Sequence, residues 1–160
     1  MRQRLEEIYR QHRQGLYTLA VSITRCPGAA EDAVHEAFVR LWRREAQLNG
    51  DALTYVYTAV RNASVDQLRR AAAANRPATS IYQAQPEDPQ QRAMSGEAQQ
   101  VLHMAVESLP EAQRLAVVLK VYGELTFEQI AQVLGEPLPT VASRYRRALE
   151  ALREKVQGLA

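Results

Sequence analysis

The stretch NRPATSIYQAQPEDPQQ, residues 75–91, constrains this chain more than any other. It contains Pro77, Pro86 and Pro89 and follows neither the helical nor the strand period. Proline fixes φ and removes a backbone donor, so a continuous helix cannot cross such a segment. The fold must therefore be assembled from what lies on either side. A tether over residues 75–95 is expected, which at full extension reaches about 60–80 Å. Each flanking half is long enough for one small domain.

Both halves read as helix. Leu5, Ile8, Tyr9, Leu16, Leu19, Ala20 and Ile23 recur near a 3.6-residue period over residues 4–24. Pro27-Gly28 interrupts that run, and AEDAVHEAFVRLWRR, residues 30–44, resumes it. Its acids lead and its arginines trail, the order the helix dipole favours. Asn49-Gly50-Asp51 marks a turn, and a third helix is expected from Leu53 to Ala74. Past the tether, helices are expected over 97–108, over 110–122 with a stop at Gly123, and from Thr126 to Gly135. Thr126 and Gln129 have capping-box spacing. A last helix runs from Pro139 to the C-terminus. No strand alternation appears, so the fold class is all-α, with two small helical domains at 1–74 and 96–160.

The last two helices, joined near Gly135, have the outline of a helix-turn-helix. On a wheel, Val141, Tyr145, Ala148, Leu149, Leu152 and Val156 make the apolar stripe of the final helix. Ser143, Arg146 and Arg147 face away from it, with Arg144 at the flank and Glu150 and Glu154 further along. Arginines early and glutamates late oppose the helix dipole. They do suit a groove-entering N-terminal end. From this helix alone two readings stand: DNA contact, or a solvated face on which Arg146 and Arg147 pair with Glu150. Charge along the chain points to an anionic partner at the C-terminal end. Residues 97–138 hold 2 basic and 6 acidic side chains (net −4), and residues 139–160 hold 5 and 2 (net +3).

Other classes find little support. No apolar run approaches the roughly 20 residues a bilayer span needs, and no signal-peptide h-region is visible. Cys26 is the single cysteine, which excludes an internal disulfide and a thiolate metal cage. His12, His35 and His103 lie far apart, without ligand spacing, and no phosphate-cradling glycine loop appears. No enzyme, metal site or cofactor is expected, and a cytoplasmic location is.

Taken in order, AEDAVHEAFVRLWRR, then YVYTAVRNASVDQLRR, a variable tether, and SLPEAQRLAVVLKVYGELTFEQIAQVLGEPLPTVASRYRRALEALRE resemble the extracytoplasmic-function (ECF) branch of bacterial sigma factors. The resemblance covers nearly the whole chain outside the tether. It implies a subunit of RNA polymerase that directs promoter recognition. The first domain would be sigma region 2, gripping the polymerase clamp helices and melting the −10 element. The second would be region 4, docking on the polymerase flap and reading the −35 element. Core RNA polymerase and promoter DNA are the implied partners, with an anti-sigma protein as a third. The alternative is a stand-alone helix-turn-helix regulator, which leaves the first domain unused.

The resemblance also assigns sites. Asp32, His35, Glu36 and Val39 would bind core polymerase, with His35 where the family has glutamine. Tyr55, Arg61, Asn62, Asp66, Arg69 and Arg70 would face the opened −10 strand, with Tyr55 in place of the usual tryptophan. Exposed aromatics and arginines suit unstacked bases and their backbone. Asn62 and Asp66 serve equally as local side-chain-to-backbone structure. The loop from Gln47 to Thr54 is shorter than the family's. Thr126, Thr140, Ser143, Arg144, Arg146 and Arg147 would read the −35 element, while Pro139 and Ala142 replace the family's glycine and lysine. The same docking mode with an altered base preference is expected.

Overall fold

The computed structural model describes residues 2–44, 51–74 and 96–158, so the expected tether lies outside the described residues, as does most of the loop before Thr54. Among the described residues there are seven α-helices and no strand. In the first half, α1 spans Arg2–Thr24, α2 spans Pro27–Arg43 and α3 spans Ala52–Ala73. Each helix boundary has a local cause. Arg25 turns into the left-handed region (φ 56°), which ends α1. Pro27 then opens α2, where its missing N–H would be unpaired anyway. The acidic first turn expected for α2 is corrected: the helix begins three residues earlier than Ala30, so Glu31 and Asp32 lie beyond its first turn. Asp51 caps α3, accepting from Leu53 N at 3.1 Å and from Thr54 Oγ1 at 2.6 Å.

The three helices close around Leu16, Leu19, Ala37, Phe38, Val56 and Tyr57, all buried. Alanines Ala30, Ala33 and Ala37 line the buried face of α2, which lets its backbone approach its neighbours closely. Tyr9 is partly exposed but sets its ring edge-on to Phe38 at 5.1 Å.

The second half contains α4 (Glu97–Glu107), α5 (Glu111–Val117), α6 (Phe127–Leu134) and α7 (Leu138–Gln157). α5 widens into a π turn over Val118–Tyr122, closed by Gly123 N donating to Val118 O at 3.0 Å. The capping box at α6 forms as its spacing implies: Thr126 Oγ1 accepts from Gln129 N at 3.1 Å, and Gln129 Oε1 accepts from Thr126 N at 2.9 Å. Gly135 takes φ 65° at the end of α6, a conformation that strains other residues. Pro137 follows as the N-cap of α7, and Pro139 falls within its first turn.

The apolar stripe read for the last helix is narrower in the structure. Val141, Ala148 and Leu152 are buried and Tyr145 packs edge-on to Phe127 at 5.4 Å, but Leu149 is 42% exposed and Val156 43%. The neighbours of α7 cover only one edge of the stripe. Ala105, Leu109, Val117, Ala148 and Leu152 form a small core of their own. Leu115, Val118, Leu119, Leu125, Ile130, Val133 and Val141 of the second half join the core of the first half. The two halves therefore pack against each other.

Candidate nucleic-acid interface

The turn and the leading end of α7 present the expected DNA-reading set. The left-handed Gly135 and the two prolines set the direction in which α7 starts. With Val141 at zero exposure as the inward anchor, Arg146 and Arg147 project to solvent. No ion pair holds either among the described residues, so the pairing with Glu150 does not form. Arg144 is half-buried, and its Nη1 lies 3.6 Å from Glu136 Oε1 in the turn. Thr140 and Ser143 are half-buried beside it. Thr126 is exposed, and its hydroxyl oxygen is already accepting from Gln129 N, which leaves its O–H available as a donor.

On α3, Tyr55 is 41% exposed, and Asn62 and Arg69 also face solvent. Arg61 Nη1 donates to Asn62 Oδ1 at 3.1 Å, so these two form a local pair. Asp66 lies 3.8 Å from Arg40 Nη1. Arg70 Nη2 donates to Glu36 Oε1 at 3.2 Å, and Arg40 binds the same oxygen at 2.5 Å. Glu36 was expected on the polymerase-binding face, whereas Arg70 and Asp66 were expected on the DNA-reading helix. The structure links these groups through Arg40, which sequence reasoning did not single out. Arg40 and Glu36 stand four residues apart on α2, a spacing that signals a helix pair but not the reach to α3. Asp32 and His35 are exposed on α2, and Glu36 and Val39 are half-buried beside them. An apolar residue within a polar face suits a protein contact.

Sequence reasoning also missed Arg114. It is 6% exposed on α5, donating Nη1 to Leu109 O at 3.2 Å and Nη2 to Ser22 O at 3.0 Å. Burial, and then the nearby Arg25 charge, lower its pKa. Its two carbonyl partners serve Nη1 and Nη2, while Nε is buried without a partner among the described residues.

Family comparisons match both halves. Residues 8–74 fit the model of sigma-70 region 2, and residues 99–152 fit that of sigma-70, region 4. The ECF RNA polymerase sigma-E factor of Escherichia coli is 32% identical over 147 residues, covering 82% of this chain and 76% of its own length. The chain belongs to the ECF sigma factors. The ECF sigma factor SigK of Mycobacterium bovis is 28% identical over 155 residues, covering 92% of this chain and 82% of its own. The same fold occurs in solved structures. The sigma factor RpoE in a co-crystal with the anti-sigma factor NepR from Bartonella quintana superposes with a TM-score of 0.69 at 21% identity, covering 95% of this chain and 96% of that one. CnrH in complex with the cytosolic domain of CnrY gives 0.64 at 18% identity, covering 100% and 92%. This ECF sigma factor is thus an RNA polymerase sigma factor with both regions present. A stand-alone regulator does not account for the match to region 2. No helix among the described residues is long and apolar enough to cross a membrane.

Proposed function

We propose that this sigma factor guides core RNA polymerase to promoters through three faces. Asp32, His35, Glu36 and Val39 on α2 bind the polymerase clamp. Tyr55, Arg61, Asn62, Asp66, Arg69 and Arg70 on α3 meet the opened −10 strand. Thr126, Thr140, Ser143, Arg144, Arg146 and Arg147 read the −35 element. The observation that carries this reading is the leading end of α7, where Arg146 and Arg147 are exposed and, among the described residues, without an ion pair beside the turn at Gly135. Guanidinium groups so placed bind guanine edges or phosphates. We place the functional units at 1–74 and 96–160, with 75–95 as the tether, and the protein in the cytoplasm without catalytic activity of its own. An anti-sigma protein is a further partner, in keeping with the co-crystal of RpoE with the anti-sigma factor NepR.

The test is transcription by purified core polymerase with and without the chain, with start sites mapped across genomic DNA. Defined starts that appear only with the chain are expected. Failure to bind core polymerase, combined with dimeric binding to a palindromic operator, would overturn this reading in favour of a stand-alone regulator.

A further inference from the structure

Two acid–arginine pairs face each other where α2 meets α3. Glu36 and Arg40 stand four residues apart on α2, and Asp66 and Arg70 four apart on α3. At that spacing each pair shares one helix face. Small residues are buried beneath them, Ala33 and Ala37 on α2 and Ala63 and Ser64 on α3. Small residues let two helix backbones come close, so an arginine of one helix reaches the acids of the other. The four charges then alternate in a row. Asp66 Oδ2 lies 3.8 Å from Arg40 Nη1, Arg40 Nη2 donates to Glu36 Oε1 at 2.5 Å, and Arg70 Nη2 donates to the same oxygen at 3.2 Å.

Glu36 Oε1 therefore holds two guanidinium groups side by side. The Glu36 side chain is 23% exposed, while those of Arg40 and Arg70 are 53% and 58% exposed. Drawing the carboxylate away leaves two neighbouring like charges that need another anion. A phosphate group suits them, because its oxygens accept from two guanidinium forks at once. Ion pairs this exposed contribute little, so one anion exchanges readily for another. Asp66 has a different part. It meets Arg40 at Nη1, not at Nη2, and so stays in reach when Glu36 turns away. It thereby keeps the Arg40 fork against α3.

The two ends of the row serve different faces in the proposed function. Glu36 lies on the polymerase-binding face and Arg70 on the −10 reader. Arg40 belongs to the first by its helix and to the second by its reach.

We propose that Arg40 is a further contact to the DNA backbone of the −10 region, held in reserve by Glu36. In the free chain Glu36 occupies both Arg40 and Arg70. When a cation of the polymerase draws on the Glu36 carboxylate, both guanidinium groups turn to a phosphate of the opened strand. Asp66 acts as the positioning residue for Arg40. Polymerase binding and DNA binding are then coupled through one carboxylate, and by linkage the coupling is reciprocal. The inference rests on the sigma-factor reading.

The test has two arms, both read by fluorescence anisotropy across a salt series. The first uses the full chain alone with single-stranded DNA of mixed sequence. Glu36→Gln should tighten binding by at least about threefold, since it frees two arginines. Arg40→Ala in that background should lower the salt slope by about 0.7, the share of one phosphate on a single strand. The second arm uses the holoenzyme with a promoter fragment whose −10 stretch is already unpaired. Arg40→Ala should again lower the slope by about 0.7, and Arg40→Lys should keep it. A merely structural role for Arg40 would change affinity without changing the slope. Arg43→Ala removes the same charge from an exposed position on the same helix and should leave the slope as it was. An unchanged slope for Arg40→Ala in the holoenzyme overturns the contact, as does an equal loss in Arg43→Ala. A smaller gain than threefold for Glu36→Gln overturns the reserve. If the wild-type holoenzyme itself directs no promoter-specific transcript, the sigma-factor reading fails and takes the proposal with it.

Discussion

Tyr57→Phe is expected to make the protein more stable. Tyr57 is fully buried, with 0% exposure, and its hydroxyl has no hydrogen-bond partner among the described residues. Its pKa is driven upward, mainly by burial and then by the Glu124 charge, so the phenol stays neutral across the working range. Leaving a buried hydroxyl unsatisfied costs about 1–3 kcal/mol. Replacing it by hydrogen removes that penalty and leaves a gap the size of one oxygen, which forfeits a few dispersion contacts worth roughly 0.1–0.2 kcal/mol each. The balance is a gain of about 0.5–2 kcal/mol, or a rise in Tm of about 1–8 °C for a chain of this size. Urea unfolding followed by circular dichroism measures it, with an unchanged m-value as the sign that the unfolded state is the same. A substitution facing Tyr57 from α1 supplies a contrast. Alanine is the better helix former by about 1 kcal/mol. Yet a Cβ at Gly15 would sit 2.5 Å from Tyr57 Oη, so Gly15→Ala should destabilise. Loss of 1 kcal/mol or more in Tyr57→Phe would refute the reasoning, because it would mean that the hydroxyl makes a bond.

Three further outcomes follow from the sites. Arg147→Ala should weaken promoter binding by about 5- to 150-fold if the guanidinium reads a base, or lower the salt slope by about 0.9 if it holds a phosphate. Fluorescence anisotropy across a salt series separates these cases, and an unchanged curve removes Arg147 from the interface. Glu136→Gln should raise affinity for random duplex at low salt, since it frees Arg144 and removes a negative charge near the groove. Identical binding would place that pair outside the DNA face. Asp51 has its carboxyl held below the ordinary carboxylate value, first by the Thr54 hydroxyl and then by Gln129. A depressed carboxylate stabilises the fold above its unfolded pKa, and that contribution is lost as pH falls through the folded pKa. The start of α3 should therefore loosen only below pH about 4. An NMR titration should show the midpoint rising in Gln129→Ala while some depression from Thr54 remains, and a fixed midpoint would uncouple the two residues.

What the sequence revealed depended on how far apart the interacting groups lie along the chain. The buried face of α2 follows from its period alone, and Ala33, Val34, Ala37, Phe38 and Leu41 are all buried. The capping box at Thr126 was visible because its partners are three residues apart. The start of α2 is ambiguous in the sequence, because Pro27 interrupts a helical run and proline also opens helices. Leu149 and Val156 were placed in the stripe of α7, but its neighbours do not extend far enough to cover them. Arg114 carried no local signal, because its acceptor at Ser22 is 92 residues away. The pairing of Arg70 with Glu36 crosses 34 residues and was hidden for the same reason.

The arginines also differ in what already holds them, and this orders their expected contributions to DNA binding. Arg114 is committed to two buried carbonyls, and removing it would unmake the fold before it touched recognition. Arg40 and Arg70 share Glu36, and Arg144 stands beside Glu136, all at partly exposed positions. Such pairs are worth about 0–1 kcal/mol, so a phosphate can displace them at little cost. Each of these still gives up a partner when it binds. Arg69, Arg146 and Arg147 are exposed and give up none among the described residues. Net affinity should therefore come first from Arg146 and Arg147 at the −35 reader and from Arg69 at the −10 reader. Arg144, whose guanidinium is already oriented by Glu136, is better placed to discriminate between bases than to add affinity, because a fixed fork loses less freedom on binding.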